Sequence, residues 1–318
     1  MSGAESIEIP AGLAAAVEQR GPEWERWLTG LPALAARFLA DWELRVEGPS
    51  LHGYTALVLP VVGRGGRDRG MLKLAFPDEE TEHEALALQH WAGRGAATLI
   101  RANPRHRVML LERLGPADLG EEWDVRACEV VGELYGALHR PAPAQLRPLS
   151  AYVAALADRL AALPRGVPVP PRLVDQARSL ARSFAADEAT DGTLIHGDLH
   201  YGNVLAAPAR AGDTTGLGWR VIDPKPLSGD PHYELAPLLT NRFDELAGRV
   251  REGLRDRFFA TLDAAGLDEQ RAKDWVVVRM LDLACQRIEE PAGASGPGRI
   301  SDHDWFTRCV AIAKAVQD

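Results

Sequence analysis

His196-Gly197-Asp198-Leu199-His200-Tyr201-Gly202-Asn203, followed after a turn by Val221-Ile222-Asp223, decides how this 318-residue chain is read. Two glycines and an asparagine favour a tight loop over a helix. On such a loop Asp198 and Asn203 can converge on one cleft. The β-rich runs Val204–Ala207 and Trp219–Asp223 flank a Gly/Thr-rich turn and predict a hairpin that returns the Asp223 carboxylate to the same place. Two oxygen ligands and one further carboxylate suit phosphoryl transfer. Asn203 and Asp223 would hold Mg²⁺ on the phosphates, and Asp198 would take the proton of an attacking hydroxyl. Two other readings start from the same residues. One is a turn whose Asp and His merely cap helices. The other is a hydrolytic metal site built from His196, Asp198, His200 and Asp223, although it leaves the upstream lysine described next without a purpose.

Upstream, Tyr54–Val62 and Met71–Phe76 are β-rich and are joined by the turn Gly63-Arg-Gly-Gly-Arg-Asp-Arg-Gly70, which predicts a hairpin. Lys73 sits among apolar residues on its second strand, so an inward-pointing ammonium needs an anionic partner. Residues Glu79 to Trp91 read as a helix and supply Glu79, Glu80, Glu82 and Glu84; a helix start also favours acids for its own sake. Thr98–Ile100 and Val108–Leu111 read as two further strands. The glycines of 63–66 look like a phosphate cradle, but no helix N-terminus follows them.

Residues 11–44 have helical spacing, with breaks predicted at Pro22 and Pro32. From Asp124 onward the chain is mostly helical, apart from the island Leu194–Asp223. The pattern predicts an α+β protein of two lobes: a nucleotide-binding lobe with a helical leader (1–111), a connection (112–118) and a helical lobe (119–318). A content of 46% hydrophobic residues is enough for both cores. A net charge of −9 argues against nucleic-acid binding and suits a cationic partner. Three scattered cysteines, no signal-like start and no long apolar run point to a cytoplasmic protein without membrane contact. Nothing separates a monomer from a homodimer.

The loop resembles the catalytic loop of aminoglycoside phosphotransferases, which carry His-Gly-Asp where the related protein kinases carry His-Arg-Asp. Ile222-Asp223-Pro224 resembles the metal-binding segment of that group. Asp223-Pro-Lys-Pro-Leu-Ser-Gly-Asp-Pro231 is similar to the streptomycin 6-kinase and hydroxyurea phosphotransferase branch. The resemblance covers nearly the whole chain. It implies a two-lobed protein-kinase-like fold with a small antiparallel sheet, ATP and Mg²⁺ as cofactors, and an aminoglycoside acceptor. It also implies Lys73 on the α- and β-phosphates with Glu84 as its ion-pair partner, and adenine against the backbone of Leu111–Leu114, Glu112 and Leu114 included. The phosphate-covering loop should lie around Gly48–Thr55. His196 becomes a structural loop residue, and Asp230 braces the catalytic loop. Glu234 stands where relatives often carry Asp. Lys225 could reach a phosphate or substrate oxygen.

Acceptors in this group lie against helical carboxylates, which makes Asp282, Glu289, Glu290, Asp302 and Asp304 candidates for holding amino or guanidino groups, although exposed acids are usually only solubilising. Trp275 and Trp305 fit a pocket or, at helical spacing, a core. The alternatives are a kinase of hydroxyurea, a sugar or an amino alcohol, and a non-enzymatic ATP-binding protein.

Overall fold

A computed structural model describes residues 7–18, 20–66, 68–207, 216, 218–290 and 300–317. The described chain falls into two compact units, with one division between Leu114 and Gly115 and the short segment Arg94–Ala96 belonging to the second.

The first unit opens with α1 (Ala11–Val17) and α2 (Pro22–Asp41). Pro22 sits in the first turn of α2, where its missing N–H costs nothing. Pro32 does not break the helix as expected: it lies inside α2, where burial of Leu31, Ala35 and Phe38 outweighs one lost backbone bond. The strands β1 (Leu44–Val46), β2 (Leu51–His52), β3 (Ala56–Gly63) and β4 (Arg69–Ala75) follow, then α3 (Glu84–Trp91), β5 (Leu99–Asn103) and β6 (Val108–Glu112). They form one antiparallel sheet in the order β1-β3-β4-β6-β5, with β2 also paired to β3. Both hairpin strands run further into the Gly-rich turn than the sequence suggested, and Arg67 of that turn lies outside the described residues. The segment around Gly48–Thr55 contains β2 and closes tightly where Gly53 N–H donates to Ala56 O.

Alternation on β3 and β4 buries Leu57, Leu59, Val61, Leu72 and Leu74 against Leu13, Val17, Leu31 and Phe38 of the leader helices. Aromatic contacts extend this packing. Trp24 stacks on Phe76 at 3.5 Å, and the Arg20 guanidinium lies over the rings of Trp24 and Tyr54 at 4.4 and 4.1 Å.

The helix expected from Glu79 starts only at Glu84. Asp78 and Thr81 hold the preceding residues in a turn: Asp78 Oδ1 accepts from Thr81 N, and the Thr81 hydroxyl donates to Phe76 O at 2.7 Å. Short polar side chains compete in this way with a helical backbone.

The second unit contains α4 (Asp124–Leu138), β7 (Arg140–Pro141), α5 (Leu149–Ala162), α6 (Pro171–Ala185), β8 (Thr193–Ile195), β9 (Val204–Ala206), β10 (Trp219–Val221) and β11 (Leu227–Gly229). It ends with α7 (Ala236–Thr240), α8 (Val250–Ala265), α9 (Glu269–Glu289) and α10 (Asp302–Gln317). Two small antiparallel sheets, β10-β9 and β11-β8-β7, carry the loop between β8 and β9. The turn between β9 and β10 lies largely outside the described residues. The core is helical and gathers Val153, Leu156, Phe184, Phe258, Trp275 and Phe306. Trp275 is fully buried and stacked on Phe184 at 3.9 Å; it is core, as its spacing allowed.

Helix α4 lies close enough to α8 that a Cβ on Gly132 would come within 2.7 Å of both the Ala264 methyl and Thr261 O. Gly132→Val should therefore overpack this contact and cost about 1–3 kcal/mol. Thermal unfolding should show a melting temperature lowered by several degrees; an unchanged or raised value would contradict the packing described.

Candidate active site

The chemistry-bearing loop runs between β8 and β9. Gly197 adopts a φ of +82°, a region open to glycine, and an added Cβ would come within 2.3 Å of Lys225 O. No side chain fits there, so the middle position of His-Gly-Asp is fixed by a backbone crossing. Lys225 N–H donates to His196 O at 2.8 Å across that crossing. Glu234 Oε1 accepts the Gly197 N–H at 2.8 Å, and Arg279 of α9 donates to Gly197 O at 2.9 Å.

Asn203 N donates to His200 O, and the Asn203 side-chain amide donates to Asp198 O at 2.9 Å. The contact turns the amide nitrogen toward Asp198 O and leaves Oδ1 as an oxygen acceptor. Ile222 N–H then donates to Asn203 O at 2.9 Å, and Val221 stands opposite Val204 in the β10–β9 ladder. This pairing carries Asp223 back to the loop. Asp223 has a φ of +58°, a conformation Asp tolerates better than most residues and one that re-aims the side chain at the end of the strand. The carboxylates of Asp198 and Asp223 both act electrostatically on His196 and on His200. The backbone pairing thus brings Asp223 beside the loop that carries Asp198 and Asn203.

His196 is fully buried, donates from Nε2 to Ile222 O at 2.9 Å and accepts from Asp198 N at Nδ1. These bonds need the neutral ring, and burial lowers its pKa despite the neighbouring carboxylates. Burial likewise lowers that of His200, whose Nδ1 accepts from Gly202 N. With both His196 nitrogens engaged, it is no ligand, and no group of three His, Cys, Asp or Glu side chains is arranged for a metal among the described residues. The hydrolytic metal reading is not supported. An amide oxygen and one carboxylate remain, a hard-oxygen pair that suits Mg²⁺ when phosphates and waters complete the shell.

Lys225 Nζ lies 3.1 Å from Asp198 Oδ2, with both side chains partly exposed. Asp230 is buried, but its carboxylate binds His232, Arg271 and Trp275. The bracing of the catalytic loop expected of Asp230 is performed by Glu234, whose Oε2 meets His139 Nε2 at 2.7 Å while Oε1 holds Gly197. The extra methylene of Glu lets one side chain span both partners. Tyr201 of the loop is anchored too: its hydroxyl donates to Asp124 at 2.9 Å, and Asp124 accepts from the fully buried Arg257 at 2.7 Å. Arg279, His139, Asp124 and Arg257 belong to no motif, so only the folded chain reveals them.

In the first unit Lys73 Nζ and Glu84 Oε1 are 2.6 Å apart, both side chains buried. Of the four glutamates, Glu84 is the one that opens α3 and reaches the lysine. Glu112 turns its carboxylate to Thr98, accepting from its N–H at 2.8 Å and its hydroxyl at 3.0 Å.

The acceptor candidates fare differently. Asp282 is 1% exposed and accepts from Tyr152 at 2.6 Å and Arg159 at 3.2 Å. Glu289 takes a two-pronged bond from Arg159, and Glu290 lies 3.9 Å from Arg287. Asp302 faces Arg287 and Asp304 bonds Ser301. Asp282 and Glu289 thus share the guanidinium of Arg159. Trp305 packs half-buried against the helical core. All three cysteines are buried free thiols, pushed up by burial to about 11, 11 and 12 for Cys128, Cys285 and Cys309.

The model of the aminoglycoside/hydroxyurea antibiotic resistance kinase family matches residues 41–290. The chain belongs to that family. It is therefore a phosphotransferase with a small-molecule hydroxyl as acceptor, and the non-enzymatic alternative falls away. It is 36% identical over 314 residues to streptomycin 6-kinase of Streptomyces glaucescens, covering 95% of this chain and 97% of that one. It is 38% identical over 299 residues to hydroxyurea phosphotransferase of Kitasatospora aureofaciens, covering 89% and 81%. Among solved structures, aminoglycoside phosphotransferase APH(4)-Ia matches with a TM-score of 0.56 at 16% identity, over 89% of this chain and 98% of that one. This likeness confirms the kinase-like α+β fold class. No helix among the described residues is long and apolar enough to cross a membrane.

Two tests follow from the loop. In the unfolded chain a histidine titrates near pH 6.5, whereas buried His196 has a lower value. Below pH ~6.5 the unfolded state binds more protons, so this stabilisation is complete above that pH and is lost as pH falls. Urea unfolding at pH 7.5, 6.5 and 5.5 should show declining stability, less steep in His196→Gln; identical slopes would contradict the neutral-ring assignment. Glu234→Ala leaves His139 and Gly197 N–H without their acceptor and should cost about 2–4 kcal/mol. A loss below ~0.5 kcal/mol by chemical denaturation, the range of an ordinary surface site, would contradict the bracing role.

Proposed function

We propose that this enzyme moves the γ-phosphoryl group of ATP onto a hydroxyl of a streptomycin-type aminocyclitol and so confers antibiotic resistance. The observation that carries the chemistry is the return of the β10 end, with Asp223, to the braced loop that bears Asp198 and Asn203. Asp198 is the general base: one oxygen accepts the acceptor's hydroxyl proton as that hydroxyl attacks the γ-phosphorus. Asn203 Oδ1 and the Asp223 carboxylate are the Mg²⁺ ligands, and the ion supplies charge neutralisation on the phosphates. In the first unit Lys73, held by Glu84, takes the role of binding the α- and β-phosphates, and backbone groups of Glu112 and Leu114 hold the adenine.

The choice of acceptor rests on kinship with streptomycin 6-kinases over nearly the full chain, and a net charge of −9 suits a cationic antibiotic. Similar identity to a hydroxyurea phosphotransferase makes hydroxyurea the second acceptor to test. No argument for a nucleic-acid or membrane partner arises from this chain, and we place it in the cytoplasm.

Purified enzyme with radiolabelled ATP and Mg²⁺ should label streptomycin faster than hydroxyurea, other aminoglycosides or amino alcohols. Labelling of hydroxyurea but not streptomycin would replace the first acceptor by the second. Asp198→Asn should lower kcat by about 10²–10⁴-fold, the usual contribution of a general base, with nucleotide binding nearly unchanged. Turnover equal to wild type would refute the assigned base.

A further inference from the structure

The Asp-Pro-Lys-Pro segment places a lysine directly on the base. Lys225 Nζ lies 3.1 Å from Asp198 Oδ2, and 42% of the lysine side chain is exposed. Its backbone is pinned on both sides. The N–H donates to His196 O, the carbonyl abuts Gly197, and Pro224 and Pro226 fix the flanking φ angles. The origin of the side chain is thus set by the same crossing that sets Asp198, while the side chain is not buried. A lysine serving only solubility needs no such mounting.

Resting on the proposed phosphotransfer, we infer that Lys225 is a catalytic residue that bridges Asp198 and the phosphoryl group in flight. The reaction presents a charge problem. An ionised base must stand beside an attacking hydroxyl and a phosphoryl group that already bears negative oxygens, and like charges at such range repel strongly in a partly buried site. An ammonium has three N–H donors and can serve a carboxylate and a phosphoryl oxygen at once. With Lys225 on Oδ2, Oδ1 of Asp198 is the oxygen for the proton. As the acceptor oxygen bonds to phosphorus, the bond from phosphorus to the bridging oxygen of ADP breaks and its electron pair leaves with ADP. The hydroxyl proton passes to Asp198, and Lys225 keeps its own protons throughout. Its charge is most useful when the phosphoryl oxygens are closest, in the transition state, so its removal should reduce kcat rather than binding.

The test compares wild type, Lys225→Met, Lys225→Arg and Asp198→Asn with the acceptor that wild type labels best, each checked for nucleotide affinity and melting temperature. Lys225→Met should lose about 10²–10³-fold in kcat, as on removal of one transition-state donor, with both KM values within about threefold. Lys225→Arg should recover part of the loss. Replacing ATP by its γ-thio analogue should slow wild type more than Lys225→Met, because the variant has already lost its contact with the altered oxygen. A kcat for Lys225→Met within about threefold of wild type, or a loss confined to KM, would overturn the inference. If Lys225→Met does not fold, Lys225→Gln, which lacks the charge, takes its place: a kcat within about threefold of wild type overturns the inference. An active wild type with inactive Asp198→Asn and active Lys225→Met would refute the lysine's role alone. A wild type that labels no acceptor would refute the phosphotransfer reading itself.

Discussion

Two backbone segments cross at Gly197 and Lys225, and the crossing has no space for a side chain. The rest of the candidate site hangs from it. The Gly197 N–H is held by a buried carboxylate, the Gly197 carbonyl by a guanidinium from α9, and the Lys225 N–H by His196 O. Each is charge-assisted or backbone-to-backbone, hence directional and strong in a partly buried setting. Asp198 follows Gly197 in sequence and Asp223 precedes Lys225 by two residues. Fixing the crossing therefore fixes the roots of Asp198, Asp223 and Lys225 together. Asn203 completes the arrangement by bonding Asp198 O, which couples its own orientation to that of Asp198.

The supporting groups are costly ones to bury. Glu234, His196 and Arg257 are fully buried, and each is stabilised only by the partners that surround it. A carboxylate or guanidinium stripped of one partner in such a place costs more than the bond itself is worth. The same logic holds in the first unit, where the buried Lys73–Glu84 pair stands between β4 and α3. Rigidity at both places comes from satisfied polar networks seated on apolar cores.

Much of this is legible in the amino-acid sequence. The loop, the returning strand, the Lys73 hairpin and the α+β class all follow from glycine spacing and β-rich runs around one motif, because local turn chemistry is written in adjacent residues. What escaped depends on long-range packing. Pro32 reads as a breaker but sits inside α2, where buried apolar contacts outweigh its local preference. Asp78 and Thr81 delay α3 through side-chain bonds that periodicity does not register. Arg279 and Arg257 lie in ordinary helical stretches, and only the fold brings them to the loop. Asp282 and Glu289 looked available as exposed acids; Arg159, over a hundred positions earlier in the chain, takes both. The bracing that the family resemblance implies for Asp230 is made by Glu234, which holds Gly197 N–H.

In the proposed function Asn203 and Asp223 grip one divalent ion on the nucleotide phosphates beside Asp198. Electron paramagnetic resonance of Mn²⁺ with the β,γ-imido analogue of ATP tests it directly. The wild type should show one enzyme-bound Mn²⁺–nucleotide spectrum that broadens when the phosphate oxygens carry ¹⁷O. Asp223→Ala should abolish the bound signal, and Asn203→Ala should weaken it. A bound spectrum unchanged in both variants would contradict the account.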